Sequence, residues 1–220
     1  MKKSISVLII SIVFGLGLQA QTYDRQNLWD KEINAFAEID RKQTPPANAV
    51  LFVGSSSIRM WTNLRSSFPR IKVINRGFGG SRLEDVNYYF DKIVTPYNPK
   101  TIVLYAGEND LDEGIAPEKV LEQYRNFAAM VSLKFPKTTV LYISLKPSPA
   151  RWKMADKFKQ TNALIKAEIQ KDYRVQFVDV WTPMLDEKGE PKSEIFLEDK
   201  LHLNEKGYTI WRGILQRYLQ

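Results

Sequence analysis

Residues 49–58 read Ala49-Val50-Leu51-Phe52-Val53-Gly54-Ser55-Ser56-Ser57-Ile58. The run to Val53 is apolar at every position, then breaks at a glycine followed by hydroxyl side chains. A short run without polar alternation is the pattern of a strand covered on both faces, and such strands belong to parallel sheets. Gly54 permits a sharp exit from the strand. Outward from this segment, similar runs recur at Ile71–Ile74, Thr101–Tyr105, Thr138–Ser144 and Val175–Val180. Amphipathic stretches separate them. Asp24–Arg41 places Leu28, Ile33, Phe36 and Ala37 along one side. Pro117–Phe135 starts with proline early in a helix and carries Val120, Leu121, Tyr124, Phe127, Ala128 and Val131 at helical spacing. Arg151–Lys171 carries Phe158, Leu164, Ile165 and Ile169, and Asn204–Leu219 opens on a capping Asn before Tyr208, Trp211, Leu215 and Leu219. Strand alternating with helix predicts an α/β domain with a parallel sheet and right-handed crossovers. Asp186–Glu194, polar and holding Gly189 and Pro191, reads as a surface loop. There is no repeat or linker, so residues 21–220 are expected to form one domain.

Composition narrows the chemistry. The 220 residues are 44% hydrophobic and 26% charged, ordinary for a globular chain and unlike a disordered one. Without cysteine there is no disulfide, thiolate metal site or cysteine nucleophile. With His202 as the single histidine, a multi-histidine metal site is also excluded, and any imidazole chemistry within the chain runs through that residue. Lys2 and Lys3 precede an apolar run from Ile5 to Leu18, followed by Ala20. This reads as a secretory signal cut after Ala20, with an uncleaved anchor as the alternative. The product would be periplasmic or secreted, without stable membrane insertion. The formal charge of +7 is scattered, and Lys153, Lys157 and Lys159 read as one solvated helix face. No basic stripe with interleaved aromatics points to nucleic acid.

Ligands of open α/β sheets bind beyond the carboxyl ends of the strands, so the residues following each run matter most. After Val53 come Gly54-Ser55-Ser56-Ser57, where a serine would stand near a helix start, either as nucleophile or only as a cap. After Ile74 come Asn75-Arg76-Gly77-Phe78-Gly79-Gly80-Ser81. The glycines lack the G-x-G-x-x-G spacing of a dinucleotide site and fit a tight loop exposing a backbone N–H. After Tyr105 come Ala106-Gly107-Glu108-Asn109-Asp110, where Asn109 either donates into a site or caps a helix. Near the C-terminus, Asp199 stands three residues before His202. A carboxylate so placed can bond the ring's Nδ1–H and leave Nε2 as a base, unless the histidine is an ordinary surface residue. Jointly the segments supply nucleophile, base, orienter and oxyanion donors, the parts of acyl transfer.

These blocks resemble those of the SGNH hydrolases, the GDSL-type esterases and acylhydrolases, in order and over nearly all of residues 21–220. Gly54-Ser55-Ser56 stands for the first block, with Trp61 matching a tryptophan often found a few residues later. Gly80 matches the second block, and Gly107-Glu108-Asn109-Asp110 the third. Asp199 to His202, followed by Asn204 and Gly207-Tyr208, matches the last. Ser55 departs from the pattern, replacing an Asp that is no member of the family's triad.

The resemblance implies a three-layer α/β/α fold with a five-stranded parallel sheet in flavodoxin-like order. It also implies a Ser56–His202–Asp199 triad, with Ser57 as the alternative nucleophile because it directly precedes Ile58. The oxyanion donors would be the backbone N–H groups of Ser56 and Gly80 and the side chain of Asn109, with no cofactor or metal. The expected activity is serine-dependent hydrolysis of short acyl esters, acetyl first, on carbohydrates. Lysophospholipase, thioesterase or O-acyltransferase activity would use the same residues; a non-enzymatic carbohydrate-binding scaffold fits the intact set poorly. Trp61, Trp152 and Trp181 are candidates for stacking on a sugar ring, or else ordinary core.

Overall fold

The computed structural model describes Arg25 and residues 27–219; the proposed signal segment and Asp24 lie outside them. Five strands form one parallel sheet: β1 (Val50–Gly54), β2 (Val73–Gly77), β3 (Thr101–Tyr105), β4 (Thr139–Ile143) and β5 (Val175–Val178). Their order is β2-β1-β3-β4-β5, so β1 is flanked on both sides and β2 and β5 are edges. The described helices in chain order are α1 (Asp30–Lys42), α2 (Ser56–Arg59), α3 (Leu64–Ser67), α4 (Leu83–Tyr88), α5 (Phe90–Ile93), α6 (Glu108–Asp112), α7 (Pro117–Lys134), α8 (Ala155–Ile169) and α9 (Glu205–Leu215).

The strands alternate their side chains between two apolar layers, which is why β1, and β3 and β4 beyond their first threonine, run apolar on both faces. Leu51, Val53, Ile102, Leu104, Val140 and Tyr142 pack with Ile33, Tyr124, Phe127 and Ile165 on one face. Phe52, Val103, Tyr105, Leu141 and Ile143 pack with Trp61, Trp211 and Leu215 on the other.

Register positions the site. Gly54 of β1 pairs with Gly77 of β2 and with Tyr105 of β3, so the central strands end level. The segments following all three therefore leave from one edge.

Several boundaries differ from the sequence reading. The second strand is Val73–Gly77 rather than Ile71–Ile74. Ile71 closes the turn after α3, its N–H donating to Phe68, while polar Asn75 and Arg76 continue the strand. Arg76 is tolerated there because its guanidinium is held by Asp40 and by the Tyr97 hydroxyl. The first helix starts at Asp30, and its inward stripe is Trp29, Ile33, Phe36 and Asp40, while Leu28 and Ala37 are exposed. The anchor is Trp29, buried edge-on against Phe78. The segment from Arg151 begins as a 3-10 turn (Pro149–Met154) and becomes α-helical at Ala155. Asn204 caps α9 as expected, its side chain accepting from the N–H groups of Lys206 and Gly207. Asp186 organises the exposed loop after it by accepting from the N–H groups of Lys188 and Glu190. Among the described residues no helix is long and apolar enough to cross a membrane.

Candidate active site

The exit from β1 demands glycine. Gly54 has φ +134°, and a Cβ there would lie 1.9 Å from the Tyr105 carbonyl oxygen. The chain turns at once, Ser55 N–H donating to that same carbonyl at 3.0 Å. Ser55 and Ser57 are 3% and 2% exposed, so neither hydroxyl is presented to solvent. Ser56 between them is half-buried, and its Oγ lies 2.9 Å from His202 Nε2. Tyr208 OH donates to the Ser57 carbonyl at 2.9 Å, tying α2 to α9. The choice between Ser56 and Ser57 is thus a matter of reach: only Ser56 meets the imidazole among the described contacts.

His202 is oriented by a turn of its own making. Lys200 adopts φ +57°, which bends the chain back over Asp199. Asp199 Oδ1 accepts from the N–H groups of Leu201 and His202, both at 2.9 Å, and its Oδ2 lies 2.6 Å from His202 Nδ1. Burial alone would raise the Asp199 pKa, but these hydrogen bonds outweigh it and hold the carboxyl down at about 2. An ionised carboxylate only accepts, so Nδ1 carries a proton and Nε2 is the ring nitrogen left to face Ser56.

Gly80 lies in the loop after β2, with φ +69° and open space where a Cβ would stand. The Trp29 indole Nε1–H donates to the Gly79 carbonyl at 2.6 Å, and Arg25 donates to the Gly80 carbonyl at 3.3 Å. Neither the Ser56 nor the Gly80 backbone N–H has a hydrogen-bond partner among the described residues. Asn109 is in the first turn of α6, whose cap position is taken by Gly107 at φ +116°. Its Nδ2 donates to the Ser81 carbonyl at 2.9 Å, and its Oδ1 accepts from both Nη atoms of Arg151 at 3.1 Å.

Behind Asn109 lies a buried ionic cluster that the sequence reading did not single out. Glu108 accepts from the Lys146 ammonium at 2.6 Å and from the Tyr105 hydroxyl, and pairs with Arg151 at 3.1 Å. Burial would raise the Glu108 pKa, but the Lys146 and Arg151 charges hold it below the usual carboxylate value. Arg151 also pairs with Asp112 at 2.7 Å. The one available signal was Lys146 itself, a charge just past an apolar strand run, and it names no partner.

The tryptophans divide. Trp61 is 1% exposed, stacked on Tyr208 at 4.9 Å and edge-on to Phe52 and Trp211, so it is core and offers no face to a sugar. Trp152 and Trp181 stack on each other at 5.8 Å and are half-buried, with the Lys159 ammonium about as near to both rings.

Residues 52–210 match the GDSL-like lipase/acylhydrolase family. The chain belongs to that family. It is a carboxylic ester hydrolase with the SGNH hydrolase fold. A GDSL-like lipase from Bacteroides thetaiotaomicron superposes with a TM-score of 0.72 at 20% identity, over 85% of this chain and 96% of its own. A Streptococcus pneumonia protein, provisionally described as a platelet activating factor, gives 0.77 at 21% identity, over 86% of this chain and 92% of its own. A catalytic mutant of an acetylxylan esterase from Geobacillus stearothermophilus gives 0.65 at 14% identity, over 79% of this chain and 94% of its own. At these identities the likeness is one of fold. No curated protein matches the sequence significantly.

Proposed function

We propose that this SGNH hydrolase is an exported serine esterase that removes short acyl groups, acetyl first, from carbohydrate esters. The observation that carries the reading is the continuous hydrogen-bonded chain Ser56 Oγ–His202 Nε2 and His202 Nδ1–Asp199 Oδ2. Ser56 attacks the ester carbonyl while its proton passes to His202 Nε2. The negative charge moves to the carbonyl oxygen, where the N–H groups of Ser56 and Gly80 and the Asn109 amide stabilise it. His202 returns the proton to the departing alcohol, leaving an acyl-Ser56. Water, deprotonated by the same imidazole, then releases the carboxylic acid and restores Ser56. Asp199 keeps the ring in the correct tautomer and stabilises the imidazolium. No step calls for a metal or organic cofactor.

Three things support the substrate class. The basic and apolar N-terminal run directs the enzyme to extracellular polymers. The chain has no long apolar insertion to serve as a lipid lid, and the Asp186–Glu194 loop is polar. The similarity to an acetylxylan esterase points the same way. The test compares kcat/KM on p-nitrophenyl acetate, butyrate and octanoate, beside acetate release from acetylated xylan, pectin and sialic acid. Acetate should lead. A preference of about tenfold or more for octanoate or lysophospholipid, ~1.4 kcal/mol in the transition state, overturns the short-acyl carbohydrate reading.

A further inference from the structure

Oxyanion donors act only if they already point at the place where charge will develop. Nothing in the Ser56–His202–Asp199 chain sets that direction for Gly80 or Asn109. A carboxamide can present either its oxygen or its NH2 group to a given neighbour, and a glycine peptide with φ +69° and open surroundings has freedom to rotate.

Each donor is gripped by its opposite end. A guanidinium carries donors and no acceptor, so a side-chain amide facing it must present oxygen. Both Nη atoms of Arg151 lie 3.1 Å from Asn109 Oδ1, and Nδ2 is therefore turned away. One Nδ2 hydrogen goes to the Ser81 carbonyl, and the other has no partner among the described residues. Arg151 is itself fixed by Asp112 and by Glu108, which Lys146 and Tyr105 hold from behind. For Gly80 the grip is on the peptide plane. The Gly79 carbonyl and the Gly80 N–H belong to one trans peptide and point in opposite directions. With that carbonyl bound to the Trp29 indole at 2.6 Å, the Gly80 N–H is forced to the other side.

We propose that Arg151 and Trp29 are positioning residues for the oxyanion hole, Arg151 orienting the Asn109 amide and Trp29 orienting the Gly80 N–H. The proposal rests on the reading of Gly80 and Asn109 as oxyanion donors. It adds residues that make no described contact with the triad.

The experiment measures kcat and KM on p-nitrophenyl acetate for Arg151→Met, Arg151→Lys, Trp29→Phe, Asn109→Ala and the double variants, with thermal unfolding as a check on folding. Arg151→Met should lower kcat about 10- to 100-fold with KM within about twofold, because a lost transition-state donor appears in kcat. Arg151→Lys should recover part of the loss, since an ammonium still donates to Oδ1 but cannot fork. In the Asn109→Ala background Arg151→Met should cost less than about threefold more, because residues acting as one unit are not additive. Trp29→Phe keeps the ring against Phe78 but removes the N–H. It should lower kcat about 3- to 30-fold, and by the same factor in the Asn109→Ala background, because it acts on the other donor. An unchanged kcat in folded Arg151→Met, or a full loss repeated on Asn109→Ala, overturns the role of Arg151. Should that variant not fold, Arg151→Lys with wild-type kcat overturns it instead. An unchanged kcat in Trp29→Phe overturns the role of Trp29. If Asn109→Ala itself leaves kcat unchanged while Ser56→Ala abolishes it, the oxyanion reading fails and this proposal fails with it.

Discussion

The two polar assemblies at the carboxyl edge of the sheet are built in opposite ways. The His202 side is local and wet: Asp199 reaches the ring and backbone of His202 within one turn, and its side chain is 46% exposed. The Asn109 side is non-local and dry: Tyr105 at the end of β3 and Glu108 just after it meet Lys146 and Arg151 from the segment after β4, with Glu108 and Lys146 only 3% and 1% exposed. The local assembly can lose its side-chain hydrogen bond with little harm to the fold, because water replaces it. The buried one cannot, because a charge left alone there has nothing to replace its partner. Structural dependence is thus concentrated on the Asn109 side.

The sharpest break between them is expected from Ser56→Ala, which should abolish turnover by several powers of ten while leaving the unfolding temperature near wild type. Mass spectrometry of a fluorophosphonate adduct should place the label on Ser56; an adduct on Ser55 or Ser57 removes it as nucleophile. Asp199→Asn should cost roughly 10⁴ in kcat by favouring the wrong imidazole tautomer, again with little loss of stability. The buried side should answer the other way. Glu108→Gln strands the buried Lys146 charge, leaves Arg151 only the Asp112 carboxylate, and should destabilise the fold by about 3–5 kcal/mol in urea unfolding. Equal stability losses in Asp199→Asn and Glu108→Gln would erase the contrast. Asn109→Ala, where the two sides meet, should lower kcat roughly 10²–10³-fold at nearly constant KM.

A pH-dependent contrast concerns two aspartates with opposite behaviour. Burial pushes Asp110 up to about 7 despite the Leu83 N–H donated to it, with buried Asp85 adding to the rise and Arg82 opposing it. The folded chain then keeps a proton that the unfolded chain gives up near 3.8, so stability falls as pH rises from there through about 7. The slope is at most about 1.4 kcal/mol per pH unit. Asp199, held at about 2, contributes the reverse: stability present above 3.8 and lost as pH falls through about 2. Urea midpoints between pH 4 and 8 should decline less steeply in Asp110→Asn than in wild type. An unaltered slope would show that Asp110 does not hold the proton.

The physical range of each interaction decided what could be read. Strands covered on both faces announced themselves by their uniform apolarity, as at Thr101–Tyr105, and Asn204 announced α9 because a cap acts within its own turn. Asp199 and His202 were legible for the same reason. The second strand was misplaced because Asn75 and Arg76 break the apolar run, and what makes them acceptable there is the Ile58 carbonyl and Asp40, both distant in sequence. Trp61 looked equally suited to a sugar face or a core until Tyr208 and Trp211 were found packed around it.

The sequence by itself determined the α/β alternation, the identity of the chemical groups and the local turn that orients His202, because these depend on periodicity and on contacts a few residues long. Only the tertiary structure decided that Ser56 rather than Ser57 reaches the imidazole, since that depends on where α9 holds the His202 loop against α2. It alone brought Trp29 to Gly79 and Arg151 to Asn109. Those contacts arise from level strand ends in a parallel sheet, whose register joins residues far apart in the chain, and no pattern along one segment encodes which distant donor will arrive.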